Sequence, residues 1–133
     1  MDRNFRNFAD PFTNRVTKID SEDYKNKAGL LAKRVLPALE VVEIFRTHRL
    51  SLAVYVNINI TNANTAQSKI RLWVSDKTQP TLEDLYESGI QLDPDAIYNR
   101  TYVLLSNNEA VFALADMSDN VMRLDGLDDR PSA

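Results

Sequence analysis

The feature that most restricts the fold of this chain is the stretch from Ser51 to Thr61, in which apolar and polar side chains alternate almost without interruption. The large aliphatic side chains all fall at even positions, Leu52, Val54, Val56, Ile58 and Ile60. A period of two places successive side chains on opposite faces of a β-strand, whereas a helix requires a period near 3.6. The stretch therefore predicts a strand with one buried face and one polar face.

The remainder of the chain after Pro37 repeats this pattern in shorter segments separated by polar turns. Further strands are predicted at Leu39–Arg46, Lys69–Val74, Ile90–Leu92, Tyr98–Leu105, Ala110–Ala115 and Val121–Leu124. Thr81, with Asp84 three residues later, predicts a capped helical turn that Gly89 ends. Short strands at such spacing are typical of all-β domains. We predict a mainly β fold, an antiparallel β-sandwich or jelly-roll-like barrel of about 6–8 strands.

An extended or helical N-terminal arm is predicted ahead of this domain. Residues 1–19 show no sustained period, whereas apolar residues at steps of four, three and four from Tyr24 to Val35 predict a short helix over residues 20–34. We expect the arm to contact neighbouring subunits through hydrophobic side chains, namely Phe5, Phe8, Phe12, Tyr24 and Leu31. The predicted organisation is an arm over residues 1–36, a β-sandwich over residues 37–126 and a flexible tail over residues 127–133.

The residue types that carry catalysis are scarce. The chain has no cysteine, which excludes disulfides, thiolate zinc sites and thiol nucleophiles, and its one histidine, His48, is a lone candidate base. Three glycines are too few for a glycine-rich phosphate loop. The acidic loop from Asp116 to Asn120 lacks the spacing of a calcium loop. We predict that the protein is not an enzyme and holds no metal and no cofactor.

Charge is distributed unevenly along the chain. Residues 1–50 carry ten Lys or Arg and seven Asp or Glu, whereas residues 51–133 carry six and twelve. The acidic domain would repel phosphate, so no nucleic-acid partner is expected. No stretch approaches the roughly 18 apolar residues of a membrane span, and the first residues lack the apolar core of a secretion signal. We expect synthesis in the cytoplasm and no membrane partner.

The polar side of the long strand suggests a contact surface. Tyr55, Asn57 and Asn59 form a row there, which Arg71 and Trp73 would join if their strand pairs with the first. Such a stripe combines aromatic area with directional amide bonds, so it suits a protein neighbour or a glycan. The alternative for Trp73 is structural packing, beneath the helical segment or the N-terminal leader.

From residue 50 onward, the order of features resembles small tailed-bacteriophage virion proteins, accessory capsid decoration or tail-associated components with a β-sandwich fold. The motifs that carry the resemblance are Val54–Asn62, Ile70–Ser75, Gln79–Glu87 with Gly89–Leu92, Asn99–Leu105, Asn108–Ala113 and Val121–Gly126. Where such proteins often place glycine, this chain has Asn107 and Asn108, and asparagine also adopts the left-handed conformation. The resemblance implies a protein present in many copies on a virion, held by its neighbours without a cofactor.

These observations lead to a working hypothesis of a non-enzymatic virion subunit, located in the capsid, tail or baseplate, whose partners are copies of itself and other virion proteins. The alternative is a carbohydrate- or receptor-binding β-sandwich module that uses Tyr55, Trp73 and the nearby asparagines. A small metal-dependent hydrolase is the third hypothesis, and it has the least support from the residues.

Overall fold

The computed structural model describes residues 27–129, and these residues form eight strands and one 3₁₀ turn. The strands are β1 (Lys27–Leu36), β2 (Val42–Arg46), β3 (Ala53–Asn62), β4 (Ser68–Ser75), β5 (Leu85–Leu92), β6 (Ile97–Leu105), β7 (Ala110–Ala115) and β8 (Asn120–Asp129). They lie in two antiparallel sheets of four strands each. The mainly β fold and the antiparallel sandwich predicted from the sequence are confirmed.

Strand pairing in the two sheets is nested along the chain. β4 pairs with β5, β3 with β6, β2 with β7 and β1 with β8, as in one long hairpin that has been folded over. Sheet I has the order β1-β8-β3-β6, and sheet II has the order β2-β7-β4-β5. The pairs β3–β8 and β4–β7 complete the sheets. The first and last described strands are therefore neighbours.

The two sheets enclose a continuous apolar core. It contains Leu36, Val42, Val54, Val56, Ile58, Ile60, Ile70, Leu72, Ile90, Leu92, Val103, Leu105, Val111, Ala113, Ala115, Met122 and Leu124. The even positions from Val54 to Ile60 are fully buried, as the alternation predicts, whereas Leu52 precedes β3 and is exposed. Each fully buried Val or Ile contributes roughly 1.5–3 kcal/mol. The alternating strand thus supplies the centre of the core.

The predicted helix over residues 20–34 is wrong for its described part, because residues 27–34 belong to β1. β1 pairs with β8 along its length, and this pairing overrides the local helical spacing. A register shift between Leu30 and Ala32 interrupts the strand period, which explains why the apolar residues recur at helix-like steps. The sandwich consequently begins before Pro37. Residues 20–26 lie outside the described part of the chain.

Two other boundaries differ from the sequence prediction. β8 continues through residues 127–129, which were assigned to the flexible tail; residues 130–133 lie outside the described part. The turn at Leu82–Asp84 has the predicted capping box between Thr81 and Asp84, but β5 begins directly afterwards and includes Gly89. Asn108 has φ 54°, so asparagine does adopt the left-handed conformation in the turn before β7.

A polar seam joins β5 at the edge of sheet II to β6 at the edge of sheet I. The Tyr98 hydroxyl donates to Glu87 Oε1 at 2.6 Å, and Arg100 Nη1 lies 3.6 Å from the same carboxylate. Partial burial, together with the bond to Glu87, raises the pKa of Tyr98 to about 12. The Tyr98 hydroxyl therefore stays protonated through the ordinary pH range and keeps its hydrogen bond to Glu87.

Within residues 27–129, no helix has the length and apolar character needed to cross a membrane.

Candidate protein interface

The row of side chains predicted as a contact surface is divided between the two outer faces of the sandwich. Tyr55, Asn57 and Asn59 lie on β3 in sheet I, whereas Arg71 and Trp73 lie on β4 in sheet II. β3 and β4 follow each other in sequence but do not pair, since β3 pairs with β6 and β8. The structure therefore brings the first three residues together and places the other two on the opposite side.

On the outer face of sheet II, the aromatic side chains Trp73 and Phe112 are covered by other parts of the chain. Trp73 pairs across the strands with Phe112, is only 9% exposed, and packs with Leu85 and Leu114 in a small cluster separate from the main core. Trp73 thus packs within the domain, as the alternative held, but its described neighbours lie on β5 and β7 and not on the leader or the predicted helix. We call the outer side of sheet II around Trp73 and Phe112 the covered face.

Arg46 completes this cover. Its guanidinium carbon lies 5.9 Å from the centre of the Phe112 ring, within the range of a cation–π contact. Nη2 donates to Glu43 Oε1 at 2.8 Å and to the Lys77 carbonyl at 2.7 Å, and Nη1 donates to the Asn108 carbonyl at 3.2 Å. Three segments of the chain thus hold one planar side chain over the aromatic cluster.

On the outer face of sheet I, the apolar side chains have no such cover among the described residues. Tyr55 on β3 lies directly opposite Leu104 of β6 and Leu127 of β8. Tyr55 and Leu127 are each 38% exposed, and Leu104 is 65% exposed. Next to this row lies a depression of about 440 Å³, lined by Tyr55, Asn57, Tyr102, Gly126 and Leu127. We call this depression, with Leu104 at its rim, the outer groove.

Tyr102 is held in the outer groove by a distortion of the strand. The register shifts between Val56 and Ile58, so that β6 carries an extra residue opposite β3. Tyr102 has φ 61°, a conformation that is uncommon for a bulky residue, and Asn57 Oδ1 accepts its backbone N–H at 3.0 Å. Tyr102 is 79% exposed, and its ring meets that of Tyr55 edge-to-face with 5.6 Å between centroids. Such distortions concentrate at functional sites.

Gly126 allows the backbones at the floor of the groove to approach closely. It lies opposite Val56 on β3 and Gly29 on β1. A Cβ added at this position would overlap the Tyr55 carbonyl oxygen. Glycine is therefore required here, because any side chain would push β8 away from β3.

Of the predicted arm residues, the structure describes only Leu31, which lies in β1, is half-buried and packs against the main core. Phe5, Phe8, Phe12 and Tyr24 lie outside the described residues. Four further residues belong to this surface that the sequence did not predict there: Tyr102, Leu104, Gly126 and Leu127. The alternation along β6 predicts that Leu104 points outward while Val103 and Leu105 point inward. It does not predict which strand lies beside Leu104, because that depends on the tertiary fold.

The lining of the outer groove consists of two tyrosines, one asparagine, one glycine and one leucine, so it offers aromatic and apolar area with one amide. In the described part of the chain, no group of three or more His, Asp or Glu side chains is placed to hold a metal ion. Asp116, in the acidic loop considered for calcium, accepts a hydrogen bond from the backbone N–H of Lys69 at 2.7 Å.

No protein-family model, curated protein or solved structure matches this chain.

Proposed function

We propose that this chain is a non-enzymatic structural component of a phage virion that acts through protein–protein contacts in many copies. Its position would be that of a capsid decoration subunit or of a subunit attached to the tail or baseplate. The observation that carries the proposal is the outer groove. Among residues 27–129, Trp73 and Phe112 on the outer face of sheet II are covered, whereas the apolar, aromatic groove on the outer face of sheet I is open.

The strand order gives independent support. Eight strands paired in nested fashion, with sheets β1-β8-β3-β6 and β2-β7-β4-β5, correspond to the order of a jelly roll. Jelly rolls occur in viral capsid proteins and also in lectin domains. The order is therefore compatible with the resemblance to virion proteins, and it also keeps a glycan-binding module as the second candidate.

The composition of the groove favours a protein partner. The centres of protein interfaces are enriched in aromatic residues and depleted of charge, and their strongest contacts often involve tyrosine. Tyr55, Tyr102, Leu104 and Leu127 fit this description, and none of the residues that line the groove carries charge. Exposed apolar patches of this kind mark interaction sites in soluble proteins.

The test is assembly of the full-length chain, measured by sedimentation velocity over a range of concentrations. A Tyr102→Ser/Leu104→Ser variant should require at least tenfold higher concentration to assemble than the unmodified chain. Leu82→Ser is the matched control, because Leu82 is 82% exposed on the 3₁₀ turn away from the groove. Equal assembly of all three proteins, or a monomer at every concentration, would refute the proposal.

The virion location requires a separate measurement. Cryo-electron microscopy of particles of the phage that encodes the chain should show the sandwich of residues 27–129 in several symmetry-related copies. Particles with no density for the sandwich would contradict the assignment to the virion.

The second candidate, a carbohydrate-binding module, is favoured by one observation. The Tyr55–Tyr102 ring pair lies beside the Asn57 amide, and rings with nearby amides suit sugar recognition. Trp73 cannot contribute, since it lies on the covered face. A glycan array with the full-length chain and the Tyr102→Ser variant tests this candidate. Binding that the variant loses would support it, and absence of binding by the unmodified chain would remove it.

A further inference from the structure

We infer that the outer groove receives the phenylalanine-bearing segment, residues 1–26, of a neighbouring copy of this chain. The inference rests on the proposed function, and it names both partners of one subunit contact. The segment carries Phe5, Phe8 and Phe12 within eight residues, and it directly precedes β1.

The register of sheet I places the start of β1 beside the groove. Lys27 lies opposite Asp128, and Ala28 lies opposite Leu127. Leu127 in turn lies opposite Tyr55, which lies opposite Leu104. The row of exposed apolar side chains that crosses sheet I therefore begins at Ala28, next to Lys27. Lys27, the first described residue, therefore lies two strands away from the strand of Tyr55.

The direction of β1 favours a neighbouring copy over the same copy. From Lys27 to Leu30, the strand passes the positions opposite Asp128, Leu127, Gly126 and Asp125, which is the stretch of β8 beside the groove. Traced backwards from Lys27, the strand axis leads off the end of sheet I and away from the groove. A segment that continued in this direction would leave its own groove behind, which favours another copy of the chain as the source of the occupant.

The segment is long enough for this role. Fifteen residues separate Phe12 from Lys27, and an extended chain covers at most about 3.6 Å per residue, or about 50 Å in total. A small domain is about 30 Å across. Phe12 can therefore reach the groove of a subunit in contact with this one.

The two surfaces are also chemically complementary. The groove, about 440 Å³ and lined by two tyrosines and a leucine, lies within the roughly 300–1,000 Å³ range of ligand pockets. Phenylalanine rings pack well edge-to-face against tyrosine rings. Residues 1–26 carry five Lys or Arg and five Asp or Glu, whereas residues 27–129 carry ten and fourteen. The segment has no net charge, so the acidic domain does not repel it.

Because the chain contains no cysteine, introduced thiols can map this contact in the full-length protein. Phe5→Cys, Phe8→Cys and Phe12→Cys chains are each mixed with a Leu104→Cys chain and oxidised. A disulfide forms only when the two Cα atoms come within about 7 Å. At least one mixture should give a mixed dimer at least ten times faster than the same chain mixed with Leu82→Cys, which is exposed on the other side of the domain.

A competition experiment provides a second measurement. A synthetic peptide of residues 1–26, added in excess to the full-length chain, should slow assembly at least threefold. A peptide in which Phe5, Phe8 and Phe12 are replaced by Ser should have no effect.

The outcomes separate this inference from the proposed function. Equal crosslinking at Leu104 and Leu82, or an intrachain disulfide without dimers in a Phe8→Cys/Leu104→Cys chain, overturns the inference. The proposed function still stands if the Tyr102→Ser/Leu104→Ser variant nevertheless fails to assemble, because another segment then occupies the groove. A full-length chain that never assembles overturns both.

Discussion

The two outer faces of the sandwich both carry aromatic side chains, but these are buried on one face and exposed on the other. The covered face holds Trp73 and Phe112, and Arg46 closes over them with hydrogen bonds to three segments of the chain. The outer groove holds Tyr55 and Tyr102, and no described side chain lies over Tyr102, which is 79% exposed. Aromatic residues on a sheet surface can thus complete the fold or remain available to a partner. Cover by the chain itself distinguishes the two cases.

The largest expected effect contrasts one aromatic residue from each face. Trp73→Ala should lower the free energy of unfolding by about 3–5 kcal/mol, because it removes a buried ring and leaves a cavity. Tyr102→Ala should lower it by less than about 1 kcal/mol, because little of that side chain is buried. Urea denaturation followed by circular dichroism measures both values. Similar losses for the two variants would mean that Tyr102 is structural, and the comparison would fail.

An intermediate effect is expected at Arg46. Arg46→Met keeps the apolar stem but removes the hydrogen bonds to Glu43, Lys77 and Asn108, and it should lower the free energy of unfolding by about 1–2 kcal/mol. Arg46→Lys should recover little, since an ammonium group cannot replace a planar guanidinium. Arg71→Met, exposed on the same sheet, is the control. A loss equal to that of Arg71→Met would show that Arg46 is not a cover.

The smallest effect is a response of the covered face to acid. The backbone N–H of Thr81 donates to Asp84, and together with the hydroxyls of Ser75 and Thr81 and the ammonium of Lys77 it lowers the pKa of Asp84 from 3.8 to about 2. Folding therefore favours the ionised carboxylate. This contribution to stability is complete above pH 3.8 and is lost as the pH falls through about 2.

Trp73 is the only tryptophan, so its fluorescence reports on the covered face, where it packs against Leu85, the residue that follows Asp84. The urea midpoint should fall between pH 5 and pH 2, and the decrease should be smaller in Asp84→Asn. An equal decrease in the variant would remove Asp84 as the cause.

Much of the fold could be predicted from local patterns. Buried faces with a period of two, as in Val54 to Ile60, identified seven of the eight described strands. β1 was missed because its register shift near Leu31 imitates helical spacing, and because its partner β8 is far away in sequence. The pattern of residues within one segment does not show which distant segment will pair with it.

The candidate site was only partly predictable for the same reason. Tyr55 and Asn57 could be placed on an outer face from alternation alone. Their true neighbours, Tyr102 and Leu127, come from β6 and β8, and only the nested pairing brings them to β3. Arg71 and Trp73 follow closely in sequence, yet their strand belongs to the other sheet. Nearness in sequence was therefore a poor guide to which residues share a surface.

The position of β8 has a consequence for how the protein is made. This strand is the last described along the chain, yet it lies between β1 and β3 and pairs with both. While a ribosome is still extending the chain, β1 has no partner in sheet I and one edge of β3 is unpaired. Closure of the sandwich must await the synthesis of β8, so folding should be slow and dominated by distant contacts. Chains interrupted before residue 120 would retain open strand edges and would be prone to aggregate.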